Sequence, residues 1–140
     1  ERGEMLVPAT ETAIRLLSQG KKGFFLMVEG SQIDFLAHGN NTPGVVGEML
    51  DFDRAVGAAL KFASDNGETL VIVTADHETG GMTVNNGNYT TGEVTAKFTS
   101  TDHTGVMVPV FAYGPGAEHF TGIMENTEIA NRMMKLLGLK

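Results

Sequence analysis

The sequence has no cysteine and no tryptophan among its 140 residues. A disulfide framework and a thiolate metal site are thereby excluded, and any metal would have to be held by oxygen and imidazole donors. Basic residues are scarce: 10 Lys and Arg stand against 17 Asp and Glu, for a formal net charge of −7. That balance cannot neutralise a row of phosphates, which argues against nucleic acid and against an anionic membrane surface as partners. No apolar run approaches the roughly 20 residues that a membrane-spanning helix needs. Proline is sparse at 4 residues, whereas glycine, at 18, exceeds the usual share and suggests many tight loops on a compact scaffold. The chain opens on Glu1 and not on Met, as a processed or truncated piece would.

The length is that of one domain, able to bury about two-thirds of its unfolded surface, and no repeat, low-complexity tract or charge block divides it. Thr10 to Leu17 reads as a helix capped by Thr10. Phe24 to Val28 is a continuous apolar run suited to a strand buried on both faces. Ser31 to His38 fits a short helical turn. A longer helix follows, with Thr42 as cap, Pro43 in the first turn, a buried face of Val46, Met49, Leu50, Val56, Leu60 and Ala63, and an end at Gly67. Leu70 to Val73 is a second buried strand, and Val108 to Tyr113 a third, stopped by Gly114-Pro115-Gly116. Between these two strands, about 79–101 is rich in Gly, Asn and Thr and reads as a loop or hairpin excursion with Asn86-Gly87 as its turn pair. A last helix covers Thr127 to Leu137. Helices alternating with strands predict an α/β fold with a mostly parallel sheet and helices on both faces.

Open α/β sheets bind ligands beyond the carboxyl ends of their strands, and chemistry-bearing residues fall there. Glu29 follows the first strand, and Asp76-His77 follows the second after Thr74-Ala75. Asp34 and His38 stand four residues apart, a spacing that puts a carboxylate and an imidazole on one helical face. His103 lies just before the third strand. Taken singly, each has an ordinary explanation: a solvated loop carboxylate for Glu29, a surface pair for Asp34 and His38, a structural histidine for His103. Together they supply carboxylates and imidazoles at one end of a sheet, a mixture suited to zinc, with the remaining hard carboxylate suited to magnesium.

The motifs resemble the alkaline phosphatase family, in its carboxyl-terminal portion. Val28-Glu29-Gly30-Ser31-Gln32-Ile33-Asp34 with His38, Thr74-Ala75-Asp76-His77-Glu78-Thr79-Gly80-Gly81, and His103-Thr104-Gly105 with Val108-Pro109-Val110 and Tyr113-Gly114-Pro115 are similar to family blocks in family order. The similarity covers nearly the whole chain. It implies Asp34, His38 and His103 as ligands of a first zinc ion, Asp76 and His77 as two ligands of a second, and Glu29 as a magnesium ligand. It also implies hydrolysis of phosphomonoesters through a phosphoserine, and an exported, periplasmic or extracellular parent.

Catalytic residues are expected to be absent from this stretch. The family nucleophile follows an aspartate, and the sequence has no Asp-Ser pair; Ser18, Ser31, Ser64 and Ser100 have other neighbours. Arg2, Arg15, Arg54 and Arg132 have no context matching the phosphate-clamping arginine. Residues 1–140 are therefore expected to be a single carboxyl-terminal segment, inactive alone, with an incomplete second zinc site and an incomplete magnesium site. Two positions depart from the pattern: Thr79 stands where many members have a histidine, which is expected to remove a contact orienting a ligand, and Phe35 stands where some have a cation. The alternatives are another enzyme with the same ligand logic (a phosphodiesterase, phosphoglycerate mutase or sulfatase) and a non-catalytic metal-binding module. A truncated sheet would expose an edge able to associate into a homo-oligomer.

Overall fold

The computed structural model describes residues 3–139; Glu1, Arg2 and Lys140 lie outside the described residues, and with them the opening residue read above as a mark of truncation. The elements are α1 (Leu6–Leu17), α2 (Gln32–His38), α3 (Thr42–Asn66), β1 (Val71–Val73), β2 (Glu78–Thr79), β3 (Thr83–Asn88), β4 (Glu93–Lys97), β5 (His103–Thr104), β6 (Phe111–Tyr113), a 3₁₀ turn at Ala117–Phe120 and α4 (Asn126–Leu136). They form two compact units. The first holds the residues up to Ala59 together with His77–Met107, and the second holds Leu60–Asp76 together with the residues from Val108 onward.

In the first unit Leu6 and Ile14 are the buried positions of α1 that make its apolar stripe, with Thr10 between them. Thr10 does not cap this helix. Its hydroxyl donates to the Leu6 carbonyl at 2.7 Å, inside a helix that starts four residues earlier than expected. A hydroxyl one turn along satisfies itself on its own helix as readily as it caps one. Nor is Thr42 the cap of α3, because the Asn41 side-chain oxygen accepts from the Gly44 amide at 3.0 Å. The buried stripe of α3 in this unit runs through Val45, Asp51 and Ala55, whereas Met49 and Leu50 are exposed. Small residues thus take the close approaches, and the larger ones are left on the outside.

The excursion is a hairpin of β3 and β4, paired antiparallel from Thr83↔Lys97 to Asn88↔Glu93. Asn86-Gly87 is not its turn. Both residues lie in β3, next to a register shift between Val84 and Asn86. The chain reverses beyond them, where the Asn88 side chain accepts from the Thr90 and Thr91 amides at 2.9 and 3.2 Å, and Gly92 takes a φ of +74°. An Asx turn followed by a left-handed glycine closes the loop as well as an Asn-Gly pair would.

Phe24 to Val28 has no ladder partner among the described residues. Its side chains alternate: Phe24, Leu26 and Val28 are half-buried, while Phe25 and Met27 are 60% and 76% exposed. This corrects the reading of a strand buried on both faces, since only one face is covered. In the second unit β1 pairs antiparallel with β6 (Val71↔Tyr113, Ile72↔Ala112, Val73↔Phe111). Ala63 and Phe120 are buried there, and the Arg132 guanidinium donates to the carbonyl of His119. All three ladders among the described residues are two-stranded and antiparallel, where a mostly parallel sheet was expected.

Candidate metal centre

The site is built within the first unit, from α2, β2 and β5. One helical turn aligns Asp34 and His38, and places His38 Nε2 3.4 Å from Asp34 Oδ1. Strand β5 delivers His103, whose Nε2 lies 3.6 Å from the same Asp34 oxygen and 3.2 Å from His38 Nε2. His77 directly precedes β2. Its ring stacks on His103 with centroids 3.5 Å apart and planes 20° apart. One donor atom each from Asp34, His77 and His103 lies within a 4.8 Å group.

These separations can be set against a cation. Zinc holds nitrogen and oxygen donors at about 2.0–2.1 Å in a tetrahedron, which puts neighbouring donors roughly 3.3–3.4 Å apart. The triangle Asp34 Oδ1, His38 Nε2, His103 Nε2 has edges of 3.4, 3.6 and 3.2 Å. Two imidazoles and one carboxylate fit zinc, and the His77 donor lies close to the same group.

Hydrogen bonds decide which nitrogens are available. His38 Nδ1 sits against the Thr101 carbonyl oxygen, an acceptor only, so Nδ1 carries the proton and Nε2 keeps its lone pair toward Asp34 and His103. Thr79 is 8% exposed; its hydroxyl donates to Asp34 Oδ1 at 2.6 Å and lies 3.2 Å from His77 Nδ1. With its proton committed to the carboxylate, Oγ1 can only accept from His77, which leaves His77 Nε2 as the unprotonated nitrogen. This corrects the expectation that Thr79 removes a ligand-orienting contact, because a threonine hydroxyl reaches the carboxylate itself. Phe35, the second departure, is largely exposed.

The backbone around Thr79 is shaped by two glycines. Gly80 and Gly81 take φ values of +85° and +59°. A Cβ on Gly80 would come within 2.8 Å of the Phe98 ring and 3.1 Å of the Ala37 carbonyl, and one on Gly81 would fall on the Thr99 hydroxyl. Beside them the half-buried Glu78 carboxylate accepts from the Thr104 hydroxyl in a short bond, from the Gly81 amide at 3.0 Å and from the Met82 amide at 3.2 Å. The Thr104 hydroxyl, supported by the Met82 and Gly81 amides and by His77, holds this carboxyl below its ordinary 4.5 against the opposing effect of desolvation.

Four of the six residues singled out in the sequence, Asp34, His38, His77 and His103, are thus gathered within one unit. His77, expected at a second zinc, stands with two residues expected at the first. Asp76 is exposed and belongs to the second unit. Glu29 is exposed at the end of the Phe24–Val28 run and is not part of the cluster. Thr79 as a bridge, Glu78 and Thr104 as a cross-strand pair, and the Thr101 carbonyl have no motif in the sequence that marks them. The only available signal was adjacency, since Glu78 adjoins His77 and Thr104 adjoins His103.

Comparison with known proteins gives the family and the fold. The sequence profile of the family described as Alkaline phosphatase matches residues 4–98 and 86–139. The chain is 37% identical to Alkaline phosphatase 4 of Bacillus subtilis (strain 168), over 91% of this chain and 42% of that protein. It is 40% identical to the alkaline phosphatase of Escherichia coli (strain K12), over 96% of this chain and 32% of that protein. The solved alkaline phosphatase of the Antarctic bacterium TAB5 superposes with a TM-score of 0.90 at 46% identity, over 99% of this chain and 42% of that one. A mutant of the TAB5 protein, solved with Mg bound in its M3 site, matches with the same TM-score at 44% identity, over 99% of this chain and 43% of that one. The chain therefore has the α/β fold of these structures and spans 32–42% of the length of these curated relatives.

Proposed function

The chain belongs to the alkaline phosphatase family, and we propose that it is the carboxyl-terminal, metal-holding part of a zinc- and magnesium-dependent phosphomonoesterase. Asp34, His38 and His103 hold a first zinc ion, Asp76 and His77 provide two ligands of a second, and Glu29 provides one ligand for magnesium. The observation that carries this reading is the triangle of donors described above, whose edges of 3.2–3.6 Å match one cation. When bound, zinc supplies positive charge and a water whose pKa falls toward ~7.

The chain's own residues set the conditions for that chemistry. Asp34, Asp76 and Glu29 bring only negative charge, so without cations they repel a phosphate dianion. His38 and His77 each present a lone pair on Nε2 because their Nδ1 protons are held by the Thr101 carbonyl and the Thr79 hydroxyl. Phosphomonoester hydrolysis through a phosphoserine needs a serine after an aspartate, and the 140 residues contain no such pair. The nucleophile, the phosphate-clamping arginine and the remaining ligands are therefore contributed by other parts of a longer polypeptide. Further strands of a mostly parallel sheet would pair along the backbone of Phe24–Val28, which has no ladder partner among the described residues, and a further layer would cover the exposed Phe25 and Met27 face. The parent is exported, by family likeness. Among the described residues no helix is long and apolar enough to cross a membrane.

Zinc content and turnover test this reading together. The purified chain, loaded with zinc and magnesium, is expected to retain zinc, to lose it in His38→Ala and His103→Ala, and to leave p-nitrophenyl phosphate unhydrolysed. Equal zinc in all three proteins removes the ligand assignment, and robust turnover by the 140-residue chain removes the proposed division of labour.

A further inference from the structure

Strands β2 and β5 pair over only two residues each, Glu78↔Thr104 and Thr79↔His103. So short a ladder is marginal by itself, yet it sets the distance between His77 and Thr79 on one side and His103 on the other. Neighbouring side chains on a strand point to opposite faces. The Thr79–His103 pair therefore shares the face where the donors converge, and the Glu78–Thr104 pair occupies the other. On that reverse face the Glu78 carboxylate is fully engaged. One oxygen accepts from both the Thr104 hydroxyl and the Gly81 amide, and the other accepts from the Met82 amide.

We propose that Glu78 is a positioning residue for the metal centre: by fastening β2 to β5 and to the glycine turn, it fixes where His77 and His103 sit relative to each other. The proposal rests on the zinc reading given above. Glu78 is not itself a donor to the cation, because both its oxygens are spent on three other groups and it stands outside the gathered ligands. Its effect passes through the backbone of two strands. A partner that orients a metal ligand from behind typically changes metal affinity by about tenfold to a hundredfold.

The test uses the full 140-residue chain and zinc alone as probe. Zinc affinity is measured by competition with a chromophoric chelator for the wild type, Glu78→Ala, Glu78→Gln and Thr104→Val. Val45→Ala serves as a control, since it removes buried packing in α3, an element that supplies none of the donors. Histidine ring ¹⁵N shifts of the zinc-loaded proteins report the geometry at His77 and His103 directly. Glu78→Ala is expected to weaken zinc by about tenfold to a hundredfold and to move the His77 and His103 resonances. Glu78→Gln keeps one oxygen for Thr104 and Gly81 but turns an amide N–H toward the Met82 N–H, so its loss is smaller. Thr104→Val removes the cross-strand bond from the opposite side and is expected to shift affinity in the same direction. Val45→Ala should lower Tm while leaving zinc affinity and both resonances in place. Should Glu78→Ala fail to fold, Glu78→Gln and Thr104→Val decide the matter. Wild-type affinity in the foldable Glu78 and Thr104 variants, or losses no larger than that of Val45→Ala at equal Tm, overturns the proposal while leaving the metal centre intact. Failure of the wild type itself to bind zinc overturns the metal reading, and this one with it.

Discussion

Replacing Thr79 by valine removes a single hydroxyl and keeps the shape of a buried side chain. In the structure that hydroxyl donates to Asp34 Oδ1 at 2.6 Å and receives the His77 Nδ1 proton at 3.2 Å. A hydrogen bond to a charged group contributes about 1.5–3 kcal/mol. In the metal-free chain much of this loss is recoverable, because the Asp34 side chain is 37% exposed and can turn its oxygen to water. In the zinc-bound chain Asp34 is fixed and cannot turn, so the loss falls on the bound state. At about 1.4 kcal/mol per factor of ten, Thr79→Val should weaken zinc binding roughly tenfold to a hundredfold. Thr79→Ser, which keeps the oxygen, should stay close to the wild type. Competition against a chromophoric zinc chelator measures both. A valine variant that binds zinc as tightly as the serine variant would refute the bridge through Thr79.

Other outcomes follow from the same geometry. The Glu78 carboxyl titrates below 4.5 in the folded chain, so its contribution to stability is present above that pH and is lost as pH falls through the lowered folded value. In metal-free protein the Tm gap between wild type and Glu78→Gln should therefore shrink under acid, and a gap that stays constant contradicts the assignment. Gly80→Ala forces a left-handed φ on a side chain pressed against the Phe98 ring and the Ala37 carbonyl; a stability loss of about 1–3 kcal/mol is expected in urea unfolding, and no loss would show that the turn can relax. Zinc at a hundredfold over its Kd should stabilise the wild type by about 2.7 kcal/mol, a rise of roughly 5–10 °C in Tm. EDTA should abolish that rise, and His38→Ala should show none.

The parts of the site that were legible in the sequence are those fixed by local geometry. Asp34 and His38 share a face because a helix repeats every 3.6 residues, and nothing distant was needed to see it. The hairpin in the excursion was equally visible, but its turn was not. Asn86-Gly87 has the right composition, yet a register shift absorbs it into β3, and Asn88 with Gly92 closes the loop instead. Caps failed for a related reason: Thr10 and Thr42 each had a competitor, the Leu6 carbonyl in one case and Asn41 in the other. The apolar run Phe24–Val28 reads the same whether one face or two are covered, so the exposure of Phe25 and Met27 had no local signature. The bridge from Thr79 to Asp34 joins residues 45 positions apart. Only the folded chain makes it a contact.

X-ray absorption at the zinc edge of the loaded 140-residue chain addresses the convergence of Asp34, His38 and His103 most directly. Low-coordinate zinc is expected, with nitrogen and oxygen neighbours at about 2.0–2.1 Å, outer-shell scattering from two imidazoles, and a protein-bound zinc signal that is lost in His38→Ala and in His103→Ala. A shell of oxygen atoms alone, or a spectrum unchanged by both substitutions, would contradict that convergence.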